Sequence, residues 1–168
     1  MPLTNTPLES IHQYLQRQQQ LNNSLTRLTT DGENRYGAQA TSREILQQPW
    51  TWRHTATLMC NQAEQLGGWI DISARPNLIL AGAGTSDYIG KSAQDFLRAS
   101  LKLHVDARPT TDIVVRPNEL FAADEDSLLI SFARSGNSPE SLEAMRIGLE
   151  CYPRMKHLVI TCNPDGQL

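Results

Sequence analysis

The chain has 168 residues, with 15 Lys+Arg against 18 Asp+Glu and a formal net charge of −3. Partners such as duplex DNA or an acidic membrane surface demand a large positive field, so this balance argues against both. Hydrophobic residues make up 39% and aromatic residues 6%, enough for a folded core built mainly on Leu, Ile, Val and Ala, and no apolar run approaches the roughly 18 to 20 residues of a membrane span.

Residues 1–40 differ in texture from the rest. Gln13, Gln16, Gln18, Gln19 and Gln20 crowd one stretch, while Leu8, Ile11, Leu15, Leu21, Leu25 and Leu28 recur at roughly helical spacing. The pattern predicts an amphipathic helix over Ser10–Leu28, stopped by Thr30-Asp31-Gly32, with disorder as the alternative. Residues 41–75 read as a helical lead-in. Thr41-Ser42-Arg43-Glu44 has the form of a capping box, and Pro49 is expected to end that turn. Trp52, Ala56, Met59, Ala63 and Leu66 then keep helical spacing up to Gly67-Gly68, expected as the stop.

From Pro76 onward, residues 76–168 alternate between short apolar runs and helical stretches. Asn77–Ala81, Leu103–Asp106, Ser127–Phe132 and Lys156–Cys162 read as strands. Asp87–Leu101 reads as a helix with Ile89, Ala93, Phe96, Leu97 and Leu101 on its inner side, and Glu140–Cys151 as another. Near-continuous apolar strands alternating with helices predict an α/β fold, a parallel sheet flanked by helices on both faces. Asn163–Leu168 reads as a turn leading toward a further helix, so the sheet is expected to be incomplete at the C-terminus.

Two loops at strand ends concentrate groups suited to an anion. In Gly82-Ala83-Gly84-Thr85-Ser86, Gly84 allows a tight turn and Thr85 and Ser86 offer hydroxyls at a helix start, where unpaired amides and the positive end of the dipole favour negative charge. An ordinary turn with Ser86 as N-cap explains the same residues. The second loop, Arg134-Ser135-Gly136-Asn137-Ser138-Pro139, is richer. Ser138-Pro139 is a strong helix start, Gly136 permits a positive φ, Ser135 and Ser138 bring hydroxyls, and Arg134 brings a fixed charge. Together they fit a phosphate monoester better than a neutral ligand, with helix capping alone and a merely solvated Arg134 as the alternative. The rival is a dinucleotide site, with Gly82-x-Gly84 and a ribose-binding Asp106. Against it, the third glycine of that fingerprint falls at Asp87, and Gly90 lies too far along the helix.

These residues carry a resemblance. Leu80–Ser86 together with Ser131–Ser141 resembles the sugar isomerase (SIS) domain, nearest to the tagatose-6-phosphate ketose/aldose isomerase and galactosamine-6-phosphate deaminase/isomerase group. Glu44-Ile45-x-x-Gln48-Pro49-x-x-Trp52 and Pro109-Thr110-Thr111-Asp112 are similar to that group's flanking segments. The resemblance implies flavodoxin-like layering, two such domains per full-length chain, self-association or pairing with the second domain, and a hexose or hexosamine 6-phosphate as ligand. Carried over by motif, it puts phosphate contacts on Ser135 and Ser138, with Arg134, Gly136 and Asn137 beside them and Gly84, Thr85 and Ser86 facing. Thr110, Thr111 and Asp112 are weaker candidates that capping of a short helix explains equally well.

Isomerisation or deamination also needs an acid/base group. His12, His54, His104 and His157 all fall outside the two loops, and Asp87 and Glu140 sit where a carboxylate simply stabilises a helix start. The resemblance implies that the catalytic groups belong to the second such domain, outside this stretch, which reads as the N-terminal, binding part of an isomerase or deaminase without turnover of its own. A non-catalytic sugar-phosphate-binding regulatory module is the alternative. No metal-ligand spacing occurs and no cofactor is expected. Three scattered cysteines (Cys60, Cys151, Cys162) and the lack of a leader pattern point to the cytoplasm.

Overall fold

The computed structural model describes residues 7–30, 38–71, 74, 76–120 and 125–168. They divide into two compact units, with the boundary between Gly67 and Gly68.

The first unit is helical. Helix α1 spans Pro7–Thr30 and α2 spans Ala38–Trp69, its last two residues lying past the boundary. The expected stop at Asp31-Gly32 lies outside the described residues. Three expectations for α2 are corrected. The helix starts before Thr41, so Thr41 and Glu44 do not form its N-terminal box. Pro49 lies inside it. The Thr51 hydroxyl donates to the Gln47 and Gln48 carbonyls at 3.2 and 2.9 Å on this exposed stretch, engaging acceptors beside the proline. Gly67 and Gly68 do not stop the helix either; neither adopts the positive φ of a left-handed cap. Trp50, Trp52 and Met59 are exposed.

The second unit is built on the strands β1 (Asn77–Gly82), β2 (Val105–Pro109), β3 (Ser127–Ala133) and β4 (Met155–Thr161). All pair parallel, in the order β2-β1-β3-β4. Between them lie α3 (Asp87–Leu101), the short helices α4 (Thr110–Val115) and α5 (Pro117–Leu120), and α6 (Pro139–Cys151). This is the α/β fold expected from the alternation, and the strand order is that of the first four strands of a flavodoxin-like sheet.

The reason β1 and β3 read as continuous apolar runs is that both faces of the sheet are covered. Successive side chains of β1 point to opposite sides. Leu78 and Leu80 join Leu103 and Val105, with Ala93 and Leu97 of α3 packed on them. Ile79 and Ala81 join Leu129, Ile113 of α4, Ala144 and Ile147 of α6, and Tyr152. Gly90 lets α3 approach closely, since a Cβ there would stand 3.0 Å from Leu80 Cβ. That contact line corrects the expected inner face of α3: Ala93 and Leu97 face the sheet, whereas Ile89 and Phe96 are exposed, Phe96 to 72%. The second strand also begins later than expected. Lys102 closes α3 in the left-handed region (φ 54°), and Leu103 and His104 link to Val105, which pairs with Leu78.

Candidate functional site

Strand β1 leads to β2 on one side while β3 pairs on its other side, so the carboxyl ends of β1 and β3 flank a topological switch point, where open parallel sheets bind ligands. A cleft of about 480 Å³ opens there. It is lined by Ala83, Thr85, Ser86 and Ile89 from one side and by Phe132, Ala133, Arg134, Ser135 and Ser138 from the other, with Cys162 after β4. The two loops singled out in the sequence thus face a common space.

Each loop has a backbone reason for its shape. In the first, Gly84 has φ +55° and opens a single 3-10 turn, Gly84–Ser86, leading into α3. The turn folds back so tightly that a Cβ at Gly82 would stand 2.5 Å from both the Ser86 carbonyl carbon and the Asp87 nitrogen. In the second loop Gly136 has φ +70°, and Ser138 is extended just before Pro139, the first residue of α6. A helix leaves its first amides without intrahelical acceptors, and the 13-residue α6 directs that end toward the cleft residues Ser135 and Ser138.

Capping does not consume the hydroxyls. Ser86 and Ser138 stand at the N-cap positions of α3 and α6, yet neither side chain makes a capping hydrogen bond. The Ser138 hydroxyl donates to Ser141 Oγ at 2.7 Å, and Ser135 Oγ accepts from the Asn137 amide at 3.3 Å. Asn137 Oδ1 is engaged away from the cleft, accepting from the Gln167 amide at 3.0 Å. Arg134 is exposed, lines the cleft and has no ion-pair partner among the described residues. The site therefore offers hydroxyls, loop and helix-start amides and one guanidinium in one concavity, a set suited to a phosphate dianion.

The weaker candidates lie elsewhere. Thr110 is buried at the start of α4, its hydroxyl 3.5 Å from the Gly82 carbonyl oxygen, and neither it nor Thr111 or Asp112 lines the cleft. The features of the dinucleotide rival are otherwise occupied: Asp106 pairs with Arg108 at 2.6 Å, and Gly90 serves helix–sheet packing. Asp87 is buried beneath the first loop and pairs with Lys91 at 2.5 Å; its Oδ1 has no partner among the described residues. That hydrogen bond to the carboxylate holds the Lys91 ammonium above its usual range.

Among the described residues no histidine lines the cleft. His157 lies on β4 against Gly148 of α6, where a Cβ would stand 2.6 Å from its ring, and burial pushes its imidazole below the ordinary value. His104 is in the link before β2, His54 stacks on Trp50 in the first unit, and the side chain of His12 is outside the described residues. Among the described residues no group of His, Cys, Asp and Glu could hold a metal ion, and no helix is long and apolar enough to cross a membrane.

The sequence reading missed the segment after β4. Asn163 donates through Nδ2 to the Ser135 carbonyl at 2.8 Å, and the Leu168 amide donates to the Gly136 carbonyl at 2.9 Å. Only the Asn-Pro-Asp-Gly turn chemistry marked this segment, and turn chemistry says nothing of what a turn packs against.

Comparison with known proteins bears directly on this site. A Streptomyces coelicolor protein named as a candidate D-galactosamine-6-phosphate deaminase AgaS is 44% identical over 131 residues, covering 76% of this chain and 34% of the relative. The D-galactosamine-6-phosphate deaminase AgaS of Shewanella sp. strain ANA-3 is 40% identical over 151 residues, covering 84% and 38%. This chain is a homologue of the AgaS proteins. The crystal structure of tagatose-6-phosphate ketose/aldose isomerase from Escherichia coli superposes with a TM-score of 0.71 at 36% identity, over 76% of this chain and 36% of that one. The α/β architecture is thus of the SIS type, as the two loops suggested. The chain spans about a third of the length of the relatives it matches. No family model matches it.

Proposed function

We propose that this chain binds a hexose or hexosamine 6-phosphate in the cleft between the β1–α3 and β3–α6 loops, as part of a ketose/aldose isomerase or an amino-sugar-phosphate deaminase. The observation that carries the reading is the convergence of Ser135, Ser138, Arg134, Thr85 and Ser86 on one cleft at the start of α6. The phosphate sits against the Gly136, Asn137 and Ser138 backbone and the two serine hydroxyls. Arg134 supplies the counter-charge, and Gly84, Thr85 and Ser86 close the other side.

The sugar-phosphate unit in this reading is residues 76–168, with 41–75 as a helical lead-in and 1–40 as an extension. The groups lining the cleft are hydroxyls, one guanidinium, one thiol and apolar side chains, a set for holding an anion rather than for moving protons between sugar carbons. The acid/base groups come from a second such domain, and the 168 residues alone do not turn over tagatose 6-phosphate or galactosamine 6-phosphate. The names of the AgaS and tagatose-6-phosphate relatives support this choice of substrates and, with it, a cytoplasmic setting.

Calorimetric titration of galactosamine 6-phosphate into the wild-type chain and the Ser135→Ala and Ser138→Ala variants tests the reading. Each hydroxyl donating to a phosphate oxygen contributes about 1.5 to 3 kcal/mol, so each variant binds roughly tenfold or more weakly. Unchanged titration curves for both variants contradict the assignment.

A further inference from the structure

Three hydrogen bonds run from the segment after β4 to the loop after β3. Asn163 Nδ2 donates to the Ser135 carbonyl at 2.8 Å, the Leu168 amide to the Gly136 carbonyl at 2.9 Å, and the Gln167 amide to Asn137 Oδ1 at 3.0 Å. Asn163 Oδ1 in turn accepts from the Asp165 amide at 3.1 Å, so both ends of its side-chain amide are engaged and its orientation is set. The two segments touch closely. A Cβ at Gly166 would stand 2.8 Å from the Ser135 carbonyl oxygen and 3.0 Å from Gly136 Cα.

In a trans peptide the carbonyl and the following N–H point in opposite directions. Holding the Ser135 and Gly136 carbonyls against residues 163–168 therefore turns the Gly136 and Asn137 amides to the opposite side, where the Asn137 amide donates to Ser135 Oγ at 3.3 Å, a long bond that an anion can replace. The positive φ of Gly136 is what allows two successive amides to converge in this way, the geometry of an anion-binding nest. Asn163 itself does not line the cleft.

We infer that Asn163 is a positioning residue for the phosphate loop: through the Ser135 carbonyl it aims the Gly136 and Asn137 amides at the bound anion. The inference rests on the proposed phosphate site and adds a residue that the site's lining does not contain. Asn163 follows β4, the strand next to β3, so the segment beyond β4 shapes a site that the first and third crossovers of the sheet line. The substitution Asn163→Ala removes the donor and leaves the Ser135 carbonyl free to rotate, without altering any lining residue.

The experiment is a titration of the 168-residue chain with inorganic phosphate, followed by amide NMR. In the wild type the Gly136 and Asn137 resonances shift and saturate. In Asn163→Ala the apparent dissociation constant rises about tenfold, the loss of one hydrogen bond's worth of preorganisation, and those two shifts shrink at equal phosphate while the β1 and β3 resonances keep their wild-type positions. A chain ending at Gly166, which lacks the Gln167 and Leu168 donors at an exposed terminus, shows a smaller loss in the same two resonances. A merely structural Asn163 lowers the melting temperature and leaves affinity and both shifts intact; that result overturns the inference. Should Asn163→Ala not fold, Asn163→Asp, which keeps an acceptor for the Asp165 amide and lacks the donor to Ser135, takes its place, and undiminished shifts in it overturn the inference. A wild type whose resonances do not respond to phosphate defeats the phosphate reading itself.

Discussion

Gly82 and Gly84 lie two residues apart in one loop, yet the structure requires glycine at each for a different reason, and alanine substitutions separate the two. At Gly84 the surroundings are open and φ is +55°, so Gly84→Ala meets only the left-handed penalty of a side chain, about 1 to 2 kcal/mol. At Gly82 an added Cβ would overlap three backbone atoms, standing 2.5 Å from the Ser86 carbonyl carbon and the Asp87 nitrogen and 2.6 Å from the Ser86 oxygen. No flexible side chain can yield there. The 3-10 turn and the first residue of α3 have to shift by close to an ångström, at the upper end of overpacking costs, about 3 kcal/mol or more. Native-state hydrogen exchange at Leu80 and Leu129, central in β1 and β3 and almost fully buried, reads the opening of the α/β unit without interference from α1 and α2. Each 1.4 kcal/mol is a factor of ten, so Gly84→Ala speeds exchange about tenfold and Gly82→Ala about a hundredfold or more. Because the same shift displaces Thr85 and Ser86, Gly82→Ala also weakens phosphate binding. Exchange in Gly82→Ala no faster than in Gly84→Ala refutes the reasoning.

Other outcomes follow from the same structure. Leu80→Ala empties a fully buried position on the α3 face and destabilises the unit by about 2 to 5 kcal/mol, seen as a lower urea midpoint. His157 is held neutral: burial lowers its folded pKa below 6.5, so between the folded value and 6.5 the unfolded chain binds more protons. Stability is then full above about pH 6.5 and falls as the pH drops through that window, and His157→Asn flattens this part of the curve in urea titrations at several pH values. Cys162 lines the cleft, so galactosamine 6-phosphate slows its alkylation by iodoacetamide, whereas the exposed Cys60 and Cys151 react at unchanged rates; mass spectrometry of the labelled peptides distinguishes the three. Arg134→Ala weakens phosphate binding most at low salt, since an exposed guanidinium acts through a screened charge.

The parallel sheet was legible because Leu78–Ala81 and Leu128–Ile130 are apolar without alternation, which only a doubly covered sheet demands. The two phosphate loops were legible because glycine, serine and proline at strand ends have local, position-specific uses, and Gly84, Gly136 and Pro139 adopt those uses here. What escaped the sequence depends on neighbours. The side of α3 that meets the sheet is set by Gly90 against Leu80, a contact between segments, and apolar spacing alone assigned Ile89 and Phe96 to the wrong side. Pro49 reads as a break, yet a proline on an exposed helix loses one hydrogen bond whose acceptor solvent can satisfy, and α2 continues through it. Asn163 was invisible for the same reason as Gly90: its partner, the Ser135 carbonyl, lies 28 residues away in sequence.

The central claim is that the start of α6 and the two loops hold a phosphate monoester, and a crystal structure with galactosamine 6-phosphate tests it most directly. The account predicts the phosphate within hydrogen-bond distance of the Ser135 and Ser138 hydroxyls and the Gly136 amide, with the sugar directed toward Thr85 and Ser86. A phosphate found instead at the opposite end of the strands, in the cavity beside Arg154 and Lys156, contradicts it.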